Sequence, residues 1–109
     1  MLLLRKRMKA DLTNAMKARQ KNRVTALRSV LAAIDNAEAV AVTPSRQPVV
    51  GRSNDVPRKE LNEDDIRDIV QREILDYQSS IAQYEQLGKE VEADQLRERL
   101  EVVVQYMTL

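Results

Sequence analysis

Five cations stand close together at Lys17, Arg19, Lys21, Arg23 and Arg28, with Arg5, Lys6, Arg7 and Lys9 shortly before them. Lys and Arg at this density bind a polyanion chiefly by releasing its condensed counterions. The chemistry on offer is therefore salt-sensitive, largely sequence-blind contact with a phosphate backbone. An RNA strand or an RNA elbow suits such a cluster. The plainer alternative is a solvated helix face, or a face that pairs with carboxylates elsewhere in the chain.

Carboxylates at Glu63, Asp64, Asp65, Asp68, Glu73 and Asp76 raise the idea of a magnesium site or a carboxylate pair for hydrolysis. Neighbouring helical positions diverge by about 100°, so adjacent carboxylates do not converge, and the first three already suit the positive end of a helix dipole. Tyr77 and Tyr84 lie one heptad apart, with Tyr106 further on. They offer stacking surfaces for bases or, more plainly, close the rim of a helical core with their hydroxyls at the water edge. The chain has no Cys and no His, which removes disulfides, thiolate nucleophiles, Cys/His zinc sites and imidazole acid–base catalysis. No nucleophile with a partnered base can be assembled from what remains. We expect no catalytic residue, no metal ligand and no cofactor.

The elements that must position the cations follow from periodicity. At 109 residues, with 32% charged, 43% hydrophobic, two Gly and three Pro, the chain fits a single helical domain spanning 1–109. Leu4, Met8, Leu12, Ala15 and Met16 make one helical stripe, and Val24, Leu27, Val30, Leu31, Ile34 and Ala37 make a second. Between them, Lys17 to Arg23 lacks apolar side chains but also lacks Gly and Pro, and a short break is expected near Gln20–Asn22. Asn62 before Glu63, Asp64 and Asp65 reads as an N-cap, followed by the stripe Ile66, Ile69, Val70, Ile74, Tyr77, Ile81 and Tyr84, with Gly88 as the stop. Val91, Leu96, Leu100, Val103, Val104 and Met107 make the fourth stripe. The expected helices are 3–19, 23–39, 63–87 and 90–107. The segment 40–61 holds all three prolines and reads as a long loop. The fold class is all-α: two antiparallel helix hairpins joined by that Pro-rich loop.

Charge is divided along this frame. Residues 1–54 carry 11 Lys and Arg against 3 Asp and Glu, and residues 55–109 carry 7 against 14. The overall charge of +1 thus conceals a basic half and an acidic half.

Ala15-Met16-Lys17-Ala18-Arg19-Gln20-Lys21 and the run Ala26-Leu27-Arg28-Ser29-Val30-Leu31 through Glu38 resemble the GatB/YqeY family of YqeY-like proteins. Leu61-Asn62-Glu63-Asp64-Asp65-Ile66, Tyr84-Glu85-Gln86-Leu87-Gly88 and Glu101 to Tyr106 extend the resemblance over nearly the whole chain. Members are similar to the tail domain of the B subunit of the tRNA-dependent amidotransferase, a tail implicated in tRNA contact. The resemblance implies a non-catalytic, tRNA-associated helical module linked to glutamine-dependent amidation of misacylated tRNA. A carbon–nitrogen ligase label with glutamine as amido-N-donor comes only with the family. The implied partners are tRNA and amidotransferase subunits, and Lys17, Arg19, Lys21, Arg23 and Arg28 are the candidate RNA-binding residues. The alternative is a protein-interaction or self-association module, a homo-oligomer, without RNA binding.

The family pattern commonly continues past the fourth helix into a smaller helical bundle, whereas Met107-Thr108-Leu109 follow Tyr106 here, and the loop before Leu61 is longer than the family's usual link. Three leucines precede the first charges, the reverse of a secretory signal, and no run of apolar residues is long enough to span a bilayer. We expect a cytoplasmic protein without membrane contact.

Overall fold

The computed structural model describes residues 3–42 and 61–107. Four α-helices run as α1 Leu3–Lys17, α2 Lys21–Val42, α3 Glu63–Gln86 and α4 Glu90–Val104, followed by a 3-10 turn at Gln105–Met107. No strand occurs among the described residues. α1 packs on α2, α3 on α4, and α2 also lies against α4.

The core is where the periodicity places it. Leu4 and Met8 from α1, Ala26, Leu27, Val30, Leu31 and Ile34 from α2, Ile66, Val70 and Ile74 from α3, and Val102, Val103 and Tyr106 at the end form one buried cluster. Each fully buried aliphatic side chain contributes about 1.5–3 kcal/mol, and here that contribution replaces the disulfides and metals the composition lacks. Two stripe members face outward instead. Met16 is 49% exposed and Val91 is 68% exposed. In both places alanine takes the inward position, Ala15 beside Met16 and Ala93 two residues beyond Val91, each almost fully buried. A small side chain lets the neighbouring backbone approach closely, and the larger residue next to it is rotated out by the helical step.

The helix ends correct the expected boundaries by a few residues. α2 continues to Val42, past the expected end at residue 39, and Leu61, expected in the loop, is buried in the core. The rest of the Pro-rich loop lies outside the described residues. α3 opens with a full capping box: the Asp65 N–H donates to Asn62 Oδ1 at 2.8 Å, and the Asn62 N–H donates to Asp65 Oδ2 at 3.1 Å. Leu61 and Ile66, the positions flanking that box, are both buried, as a hydrophobic staple requires. Glu63 also reaches the start of α1, where its Oε2 accepts from the Leu4 N–H at 3.4 Å. One carboxylate thereby faces the positive ends of two helices.

Candidate nucleic-acid interface

The break between α1 and α2 falls at residues 18–20, slightly earlier than Gln20–Asn22. Its backbone bonds define it: the Arg19 N–H donates to the Met16 carbonyl at 3.2 Å, and the Gln20 N–H reaches back to the Ala15 carbonyl at 3.0 Å. This is the Schellman pattern, which needs a left-handed residue just after the helix. Arg19 supplies it, with φ at +57°. Among the described residues no other non-glycine residue has a positive φ. The Gln20 carbonyl then accepts from the Val24 N–H at 2.9 Å and opens α2.

The turn gathers three of the candidate cations in five residues. Lys17 ends α1, Arg19 sits at the bend and Lys21 begins α2, all exposed. Arg28 lies seven positions beyond Lys21, which returns it to nearly the same face of α2. It too is exposed, with a guanidinium nitrogen 3.9 Å from Met16 Sδ on α1. Arg23 is two positions from Lys21 and therefore points to the other side of α2. It is half-buried, close enough to Tyr106 to act on its phenol electrostatically. The structure thus brings together Lys17, Arg19, Lys21 and Arg28 and sets Arg23 apart.

At this turn the exposed cations are set out as on a solvated helix face, without pairing to the acidic half among the described residues. None of the five cations forms an ion pair among the described residues. The ion pairs run elsewhere, from Arg5 to Glu38 at 2.8 Å and Asp35 at 3.9 Å, and from Arg97 to Glu85, Glu90 and Asp94. Arg97 thereby neutralises carboxylates around the α3–α4 turn with a cation of that half. The upstream cations divide similarly. Arg5 is committed to Glu38, and Arg7 lies over the Tyr106 ring at 5.4 Å while remaining exposed, as Lys6 and Lys9 are.

The two helix ends at this turn act in opposite senses on its cations. Lys17 stands at the negative end of α1, a favourable place for a cation, whereas the first turn of α2 carries Lys21 and Arg23 with no acidic residue. Cations there oppose the helix dipole and cost a few tenths of a kcal/mol, while adding to the attraction of the free N–H groups for an anion. Asn22 holds this end against α4. Its side chain donates to Glu98 and accepts from Arg99 Nε at 3.0 Å. Sequence reasoning missed Asn22 because its partners are more than seventy positions away.

The tyrosines take core and rim positions. Tyr106 is 2% exposed, and its hydroxyl donates to Asp11. Burial first, and then the hydrogen bond and negative charge of Asp11, push the phenol pKa well above its ordinary value, against the opposing pull of Arg23 and Arg7. Tyr77 and Tyr84 are half-buried. Tyr77 and Glu73 line a shallow pocket with Ser29, Asp76, Ser80 and Leu96. There Ser29 Oγ donates to Glu73 at 3.0 Å. Burial nonetheless raises the Glu73 carboxyl above its usual range, helped by the nearby Asp76. Among the described residues no group of three or more carboxylates is arranged to hold a metal ion, and no helix is long and apolar enough to cross a membrane.

No curated protein is similar enough to the chain to count as a relative. A family model described as Yqey-like protein matches residues 5–108. Since that span takes in all four helices and the basic turn, the chain belongs to the YqeY-like family.

Proposed function

We propose that the α1–α2 turn is a contact for an RNA phosphate backbone, presented by one of two antiparallel helix hairpins. The domain then acts as a tRNA-associated module without a catalytic centre of its own. The observation that carries this reading is Arg19. A long cation occupies a left-handed backbone position at the centre of an exposed, unpaired cluster, although a non-glycine residue there costs about 1–2 kcal/mol. Backbone strain of this kind gathers where a side chain is used. Lys17, Lys21 and Arg28 surround it with positive charge, and the start of α2 adds its N–H groups. Resemblance to the amidotransferase B-subunit tail supports tRNA as the RNA and glutamine-dependent amidation as the setting.

Fluorescence anisotropy of labelled tRNA tests this, with wild type compared with a variant in which Lys17, Arg19, Lys21 and Arg28 are all changed to Gln. Four phosphate contacts give a salt slope of about −3, so wild-type affinity should fall about 60-fold between 50 and 200 mM salt. The variant, its helicity verified by circular dichroism, should lose saturable binding. Lack of binding by the intact protein at low salt would overturn the reading.

A further inference from the structure

Met16 is the largest apolar side chain left in the open on α1 beyond its first residue, and it is placed directly under Arg28. It is 49% exposed, whereas Met8 is 1% exposed and Met107 is partly buried. Its sulfur lies 3.9 Å from an Arg28 guanidinium nitrogen, with Lys17 next to it in sequence and Arg19 just beyond. A thioether sulfur is a weak acceptor, so in this state Arg28 remains available to an anion. The spacing is nevertheless larger than a direct hydrogen bond to a first-row atom. An oxygen bound to the sulfur, with a bent angle at that oxygen, fits between sulfur and nitrogen and accepts from the guanidinium at about 2.9 Å.

We propose that Met16 is a methionine-oxidation site that damps the basic turn: its sulfoxide oxygen takes up the Arg28 guanidinium and withdraws it from the phosphate backbone. The functional half of this inference rests on the RNA reading above. The oxidant is a hydroperoxide. The sulfur lone pair attacks the distal peroxide oxygen, the S–O bond forms as the O–O bond breaks, and the departing oxygen leaves as water or an alcohol after taking up the proton. Sulfur loses two electrons and the peroxide gains them. The product is polar and chiral, and methionine sulfoxide reductases reverse it. Met8 packs among Leu4, Leu27 and the rest of the core and is closed to the reagent. Selectivity therefore comes from the fold, and the response comes from the Arg28 contact.

The test treats the full chain with limiting hydrogen peroxide, beside Met16→Leu, which keeps the side-chain volume and cannot be oxidised. Peptide mapping should find oxygen on Met16 well ahead of Met8 and Met107. The Arg28 Nε–H resonance should shift on oxidation and return after reductase treatment, a readout that needs no RNA. Affinity for tRNA should fall about threefold in oxidised wild type and stay unchanged in peroxide-treated Met16→Leu. Equal oxidation of Met8, or an Arg28 resonance that ignores the sulfoxide, overturns the proposal. Absence of tRNA binding before oxidation overturns the RNA reading instead, and the Arg28–sulfoxide contact then stands or falls on the resonance.

Discussion

Arg19 and Gly88 occupy the same position in two turns of the same design. At Gly88 the chain bends after α3 with φ at +74°, the Gly88 N–H donating to the Glu85 carbonyl and the Lys89 N–H to the Tyr84 carbonyl. At Arg19 the φ is +57° and the corresponding bonds run to Met16 and Ala15. Glycine takes this conformation without a Cβ penalty. The α3–α4 turn uses glycine at this position, whereas the α1–α2 turn uses an arginine that forms no ion pair among the described residues.

Tyr106 should ionise only well above the ordinary range of a tyrosine phenol. Its raised pKa means that the folded state keeps the phenolic proton after the unfolded chain has lost it. The stability it contributes is complete below about pH 10 and is lost as pH rises above that. In a spectrophotometric titration, one tyrosine should ionise only together with unfolding. Tyr106→Phe should abolish that coupling and cost about 1–2 kcal/mol in denaturant unfolding, because the bond to the Asp11 carboxylate is charge-assisted.

Glu73 gives an effect on the acid side. Its folded-state pKa is raised mainly by burial, so the folded protein holds the proton more tightly than the unfolded chain. Stability from this group is present below about pH 4.3 and falls as pH rises through the raised value. Glu73→Gln keeps an acceptor for Ser29 without the half-buried charge. It should therefore unfold at neutral pH in no less denaturant than wild type, and the local pH dependence should vanish. A neutral-pH loss of stability in the variant would contradict this assignment.

The capping box fixes where α3 begins, and through Glu63 it also sets the approach of α1. Asn62→Ala removes the acceptor for the Asp65 N–H and should cost about 1–2 kcal/mol in chemical denaturation. Asn62→Asp should retain most of the stability, since the carboxylate accepts the same bond.

Much of the fold was legible because helical periodicity and caps are local signals. Ile66, Val70, Ile74 and Ile81 follow the stripe read from α3, and Asn62, Asp65 and Gly88 mark its ends as their side-chain chemistry suggests. Met16 and Val91 lie on the apolar stripes yet face outward, because periodicity alone does not say which of two residues one or two positions apart turns inward, and Ala15 and Ala93 take those places. The four exposed cations of the candidate site were visible as a cluster. The separation of Arg23 was not, since a list of nearby positions ignores the rotation of a helix. Nor could the left-handed Arg19 be read: a Schellman turn is announced by glycine, and here the announcing residue is missing.

The most direct measurement pairs thermal unfolding with tRNA binding for a single variant, Arg19→Gly. Relief of the left-handed strain, less the extra entropy of glycine in the unfolded chain, should stabilise the variant by about 0.5–1 kcal/mol, raising Tm by about 3 °C. The same change removes one phosphate contact, so the magnitude of the salt slope should fall by about one and affinity should weaken several-fold. A more stable protein that binds tRNA more weakly is the predicted outcome. A more stable protein with undiminished affinity and an unchanged salt slope would show that the Arg19 charge serves no RNA contact, and would contradict the account.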